Sequence, residues 1–441
     1  MKVTKRILIV GGGFAGVTLA QHLEGSLPAT VEIVVVSADN HLVFTPMLPE
    51  VVGRTISPLH VVVAGRVLTQ KTRWLEARIT HVDRDNHKAH YALANGEEAS
   101  LTYTHLVLAC GSRINIHEIP GLSDRGYALK TVMDAIALGN DLIGNFEAAT
   151  VETDPEAQRR LLSVVVIGGG FSGVEVAGHI ADLMQAIHRY YPELAKVSRK
   201  IHLLQKRDRI LPELNHQALS EFALKKLRQN EIDVRLEVGA KEVTPTAVKL
   251  SSGESIAAGM VVCTIGTDTQ PMIKALGLPL EKGRLPTEPD MRVTGTENLW
   301  ALGDCALIPN GFDQHPSPAT AQFAMQQAMQ LAKNIKRAIN GKPTAPFSFR
   351  PRGLLASIGH RNAVAEIYGI RLSGFPAWFL WRGVYLWKLP TLGRKLEVAI
   401  GWAWSLFFPP NIVQLRLKRS STPDEDSTNG QQLKEYYENR S

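Results

Sequence analysis

An α/β fold made of two parallel-sheet units, the second inserted in the first, is predicted by three features of this 441-residue sequence. Residues 5–20 read KRILIVGGGFAGVTLA and residues 163–178 read SVVVIGGGFSGVEVAG: each apolar, β-branched run ends in three glycines, with a further glycine three residues on, where an amphipathic helix opens. The order of elements after the first copy is repeated after the second, which marks an internal duplication. The run 298–306 (NLWALGDCA), which completes the first unit, follows the end of the second, so the chain leaves the first unit and returns to it.

A buried strand that turns sharply into a helix needs glycine twice over. The backbone angles demand it, and so does the close approach of a pyrophosphate, whose charge then sits on the helix dipole. A lone copy of the pattern says little, but each copy here has a strand before it and a helix after it. Two Rossmann-like dinucleotide-binding domains follow. Gly11, Gly12, Gly13, Phe14, Ala15 and Gly16 line the first turn, and Gly168, Gly170 and Gly173 the second.

The remaining elements fall in order. VEIVVV (31–36) is a buried parallel strand ending at Ser37, and 40–52 is an apolar loop with two prolines. Residues 73–101 alternate in short runs, which predicts a small antiparallel sheet with a turn at Asn95-Gly96. YTHLVLACG (103–111) returns to a buried strand ending at Gly111. In the second unit, strand 201–204 is followed by Gln205, alternating strands occupy 234–256, and MVVCTIG ends at Gly266. Asp304 follows the strand 298–303, and a helix runs from 319 to about 340. Expected boundaries are 1–120 and 276–345 for the first domain, 121–275 for the inserted one, 346–419 for a C-terminal region and 420–441 for a disordered tail.

The net charge of +7 does not point to nucleic acid, because no basic stripe interleaves with aromatics in the first 350 residues. The excess lies late, in Arg371, Arg382, Lys388, Arg394, Lys395, Arg416, Lys418 and Arg419. There it is set among tryptophans: 374–404 holds Trp378, Trp381, Trp387, Trp402 and Trp404 of the chain's seven. Its apolar runs, broken by Arg382, Lys388 and Pro390, fall short of the roughly 20 residues that span a bilayer. An amphipathic, membrane-associated region is expected, with a dimer interface or packing on the body as the competing use of the same surface. Cys110, Cys263 and Cys305, far apart in sequence, give no disulfide framework and fit a reducing compartment as small buried hydrophobes.

The combination of Gly11/Gly13/Gly16, 106–112, Gly168/Gly170/Gly173 with Glu175, 263–266 and Gly303-Asp304 resembles the two-dinucleotide flavoprotein disulfide reductase superfamily, over residues 1 to about 345. The resemblance implies FAD in the first unit, NADH or NADPH as substrate in the second, and Asp304 on the FAD ribityl chain. The helices 11–23 and 168–184 contain no cysteine, which removes disulfide chemistry, and no metal is needed.

ATAQFAMQQA (319–328) resembles the quinone-site motif of type II NADH dehydrogenases. Gln322 and Gln326, at i and i+4, share a helix face where two amides can bracket a quinone carbonyl; glutamines so spaced are otherwise a solvated face. The family resemblance also makes Glu175 the glutamate between the two substrate pockets and the 374–404 segment a membrane anchor. It implies a non-proton-pumping NAD(P)H:quinone oxidoreductase, a homodimer attached to the cytoplasmic face of a membrane. A reductase of a ferredoxin- or rubredoxin-type partner, or a redox-sensing flavoprotein, shares the two dinucleotide sites. Ser37 stands where an acid usually grips the FAD ribose, with Asp39 close by. Gln205, followed by Lys206 and Arg207, stands where an acid usually holds the ribose of NADH and repels a 2′-phosphate.

Overall fold

The strands Lys5–Val10 and Val31–Ser37 are apolar at consecutive positions over 7–10 and 33–36, because both faces of their sheet are covered there. They pair in parallel, Lys5 opposite Val31 through Val10 opposite Val36. The structure is a computed structural model that describes residues 4–414. The expected disordered tail, with Arg416, Lys418 and Arg419, lies outside the described residues.

The described chain divides into two compact units. The first comprises residues 4–43, 62–113 and 267–352. Its seven-stranded sheet runs in the order Leu299–Ala301, His105–Leu108, Lys5–Val10, Val31–Ser37, Arg73–Asp83, Lys88–Leu93, Glu98–Thr102. The helices Phe14–Glu24 and Ala321–Ile339 pack together, and their Leu19, Leu23, Phe323, Leu331 and Ile335 enter one core with the central strands.

The alternating strands form the expected small antiparallel sheet, with its turn at Asn95-Gly96, and it continues directly from the parallel strands. Arg73–Asp83 is 11 residues long, enough to pair in parallel with Val34–Ser37 at its start and antiparallel with Lys88–Leu93 along the rest.

Of the described residues, the second unit comprises 44–61, 114–266 and 353–414. Its parallel sheet has the order Gly126–Tyr127, Met260–Cys263, Ser163–Ile167, Lys200–Gln205, Ile232–Leu236, and a three-stranded antiparallel sheet spans 240–257. A second antiparallel sheet, Gly353–Gly359, Asn362–Ile367 and Ile370–Gly374, was not foreseen in the C-terminal region. Its turns are His360-Arg361, with φ of 48° and 58°, and Tyr368-Gly369, with 49° and 84°. Two successive positive φ values make the tight hairpin turn that matches strand twist, but three of these residues are not the usual asparagine, aspartate or glycine. His360 is held there by Asp182, which accepts from its backbone N–H at 3.0 Å and also contacts its ring.

This sheet lies directly on the helix Phe171–His188, because Gly178 has no side chain: a Cβ there would strike the Ile358 carbonyl. The helices Phe375–Lys388 and Leu392–Trp404 follow, the second capped by Thr391, whose hydroxyl accepts from Arg394 N–H. Among the described residues no helix is long and apolar enough to cross a membrane.

Candidate active site

In the first unit the glycine turn is built as its sequence requires. Gly11 has φ +113°, a Cβ on it would press on the Ala109 carbonyl, and a Cβ on Gly16 would overlap the Gly11 carbonyl. These two glycines close the turn and seat the helix on the strand. A Cβ on Gly13, by contrast, would meet no described atom within 4 Å. Gly13 is the N-cap of the helix Phe14–Glu24 and has no side chain to bond its first turn. Ser37 ends the neighbouring strand, its Oγ 2.7 Å from where a Cβ on Gly12 would stand, whereas Asp39 is exposed.

Asp304 sits in the short turn Gly303–Cys305, and its Oδ2 accepts from Ser112 Oγ at 3.1 Å, one residue beyond Gly111 (φ +64°). Gly303 has φ +74°, and its N–H donates to Gln327 Oε1 at 2.9 Å. Gln327 is 2% exposed. This clamp was missed in the sequence, although Gln327 shares helical spacing with the apolar Ala324, Ala328 and Leu331 and so belongs to the buried face.

The open Gly13 cradle at a helix start and a carboxylate on a fixed turn fit an FAD: an anion at the turn and a hydroxyl-rich chain at Asp304. Cys305 is buried and Cys110 half-buried. The Cys305 thiol and burial together push the Cys110 thiol well up, so Cys110 is not poised as a thiolate nucleophile.

Gln322 and Gln326 lie half-buried on the helix Ala321–Ile339, whose N-cap is Thr320. Gln322 Oε1 accepts from Arg352 N–H at 3.0 Å, which fixes that amide's orientation with its NH₂ turned away from Arg352. Ala324, one helical position from Phe323, packs against Gly303, so the same helix touches the Asp304 turn.

In the second unit Gly168 (φ +113°) and Gly173 repeat the tight closure, and Gly170 opens a helix that no side chain among the described residues caps. Thr264 Oγ1 ties the turn by donating to the Ile167 carbonyl at 2.9 Å, and Gly266 (φ +65°) lies beside Glu118 and Asn115. Gln205, the last residue of its strand, is buried, and its Nε2 donates to the Arg209 carbonyl at 3.0 Å. Lys206 and Arg207 are exposed, with Lys206 Nζ 3.6 Å from a Glu118 carboxylate oxygen.

Glu175 occupies the second turn of the helix Phe171–His188 and is 7% exposed. Its Oε1 accepts from Ser357 N–H at 3.1 Å and from Trp381 Nε1 at 3.3 Å. Burial pushes its pKa up to about 8; these two hydrogen bonds oppose the shift and the charge of Glu50 adds to it. A solvated helix-start carboxylate would move the other way, so desolvation outweighs the dipole here. Glu50, an acid inside the apolar loop LVFTPMLPEVV, was also missed. An acid within such a run is itself a signal, since carboxylates are almost never fully buried without partners.

Residues 5–328 match the model of the pyridine nucleotide-disulphide oxidoreductase family, and residues 352–409 match that of the NDH2 C-terminal domain. Demethylphylloquinone reductase NdbB of Synechocystis is 31% identical over 414 residues, covering 90% of this chain and 95% of that protein. Type II NADH:quinone oxidoreductase Ndh of Mycobacterium tuberculosis is 26% identical over 416 residues, covering 90% and 87%. The structure of NDH2 from Plasmodium falciparum in complex with NADH superposes with a TM-score of 0.85 at 19% identity, covering 93% of this chain and 99% of that one.

Proposed function

From the premise that this chain belongs to the pyridine nucleotide-disulphide oxidoreductase family, and within it to the type II NADH:quinone oxidoreductases, we propose how its residues divide the reaction. The enzyme is a non-proton-pumping NAD(P)H:quinone oxidoreductase that uses FAD. FAD, when bound, takes a hydride from NAD(P)H and delivers two electrons to the quinone.

In this reading the first glycine turn binds the FAD pyrophosphate, and Asp304, on a turn fixed by Gln327, accepts a ribityl hydroxyl. The second turn binds the nicotinamide nucleotide. Gln205 offers no carboxylate to repel a 2′-phosphate, and Lys206 and Arg207 stand exposed beside it, so NADPH serves as well as NADH. Gln322 and Gln326 present amides to the quinone. Glu175, protonated at neutral pH, is the buried acid of the second unit and can hold a proton for the reaction. The observation that carries this division is the buried, indole-bound Glu175 carboxyl.

The exposed faces of the last two helices carry Phe375, Phe379, Trp387, Leu396, Ile400 and Trp404, each more than half exposed. An apolar face of this kind with cations at its margins favours the plane of a bilayer. We place it on the cytoplasmic leaflet, where free thiols such as Cys110, Cys263 and Cys305 persist. Steady-state assay with a soluble quinone tests the whole: turnover with NAD(P)H is expected, and a yellow protein that binds both dinucleotides without reducing quinone would refute it.

A further inference from the structure

The two glycine turns differ in what stands over them. At the first, a Cβ on Gly13 would meet no described atom within 4 Å. At the second, a Cβ on the corresponding Gly170 would meet Glu213 Oε1 at 3.0 Å. The middle glycine of such a motif is the one that lets a pyrophosphate approach the backbone. Glu213 therefore holds its carboxyl where the phosphates of a dinucleotide at the second turn would lie.

Its place is set by the loop 209–214, which is fixed to that turn. Leu211 N–H donates to the Gly169 carbonyl at 2.7 Å, and Ile210, Leu211 and Leu214 are buried. Leu211 has φ +48°, a region that a bulky side chain enters only where its surroundings hold it. Arg209 closes the loop from within: its Nη2 donates to the carbonyls of Pro212 and Leu214 at 3.1 and 3.3 Å, and its own carbonyl accepts from Gln205. The backbone on either side of Glu213 is thus anchored, and only its exposed side chain can swing. Desolvation at the turn raises the Glu213 pKa, while its own backbone N–H and the charges of Arg207 and Arg209 draw it back. Water contact and two nearby cations are the conditions in which a carboxyl ionises.

We propose that Glu213 sets how loosely the second turn holds its nucleotide: the carboxylate opposes the pyrophosphate, so NAD(P)H exchanges at each turnover, whereas the first turn, with no carboxylate over it, keeps its FAD. Removing the charge also leaves Arg207 and Arg209 to the phosphates, which acts in the same direction. This inference rests on the reading that the second turn binds the nucleotide, and its test separates the two.

The measurement is calorimetric titration of the FAD-loaded enzyme with ADP-ribose, which carries the pyrophosphate but no nicotinamide to reduce the flavin. Glu213→Gln and Glu213→Ala should each bind it about tenfold more tightly at low salt. The gain should largely vanish in about 1 M salt, where the screening length is about 3 Å. In turnover, KM for NADH and for NADPH should fall by the same factor, since both carry the pyrophosphate. Gly170→Ala should weaken ADP-ribose binding, because its Cβ would stand where the phosphates approach. Unchanged affinity in either Glu213 variant, while Gly170→Ala still weakens binding, would overturn the role of Glu213 alone. A gain as large in high salt would also overturn it, since the side chain would then only fill space. An affinity that Gly170→Ala does not touch would put the nucleotide elsewhere, overturning that placement and the inference with it.

Discussion

Trp381 Nε1 donates to Glu175 Oε1 across 3.3 Å, so a helix that shows an apolar face to its surroundings also holds the buried carboxyl of the site. A donor to the charged form favours that form. Trp381→Phe keeps the ring and removes the donor, so Glu175, already near 8, should titrate higher still. The protonated form prevails below its pKa and is lost above it. The alkaline fall in turnover should therefore move up by about half a unit to one unit, as read in a pH–rate profile.

FAD retention should depend on both ends of the Gly303–Cys305 turn. Asp304→Ala removes a charged hydrogen bond worth about 1.5 to 3 kcal/mol and should lower FAD occupancy directly. Gln327→Leu leaves the Gly303 N–H without its acceptor in a buried place, at a cost of about 1 to 3 kcal/mol. That variant should lower both the melting temperature of the apoprotein and its FAD affinity, whereas Asp304→Ala should lower mainly the second. Flavin absorbance and thermal unfolding check both.

Removing the last two helices is a poor test of membrane attachment, because it would take away Trp381 and Trp402 as well. Phe379→Glu with Leu396→Glu changes two exposed positions, 70% and 56% accessible, and leaves both indoles in place. The double variant should no longer float with anionic lipid vesicles while it keeps turnover with a soluble quinone. In the unsubstituted protein, high salt should weaken binding only in part, since apolar burial is not screened.

NADPH should be used at least comparably with NADH. Gln205→Glu restores a carboxylate at the strand end and should depress kcat/KM for NADPH selectively. The substitution also loses the donor to the Arg209 carbonyl, which affects both nucleotides alike. The ratio of the two kcat/KM values is therefore the informative quantity.

The glycine turns were legible because they are local: Gly11, Gly16, Gly168 and Gly173 are demanded by backbone angles and contacts within a few residues or to the adjoining strand. That Asp304 follows a strand and that Gln322 and Gln326 share a helix was legible for the same reason, while the roles given to them come from the family resemblance. What escaped depends on contacts between distant segments. Glu50 and Trp402 are separated by 352 positions, and Glu175 and Trp381 by 206, so no local period announces them. The sheet 353–374 escaped for a different reason. Its turns use His360, Arg361 and Tyr368 at positive φ, made tolerable at His360 by Asp182 on a remote helix. The C-terminal tryptophans divide their work: Trp381 and Trp402 face inward to carboxylates, while Trp387 and Trp404 stay exposed.

The central claim is that quinone is reduced at the helix face of Gln322 and Gln326, apart from the step in which NAD(P)H delivers its hydride. Anaerobic rapid mixing of the Gln322→Leu/Gln326→Leu double variant, first with NAD(P)H and then with a soluble quinone, measures the two steps separately. Flavin bleaching by NAD(P)H should keep its wild-type rate, and reoxidation by quinone should slow at least about tenfold, the equivalent of one hydrogen bond made to the reacting quinone. Equal loss of both steps, or no loss of either, would contradict it.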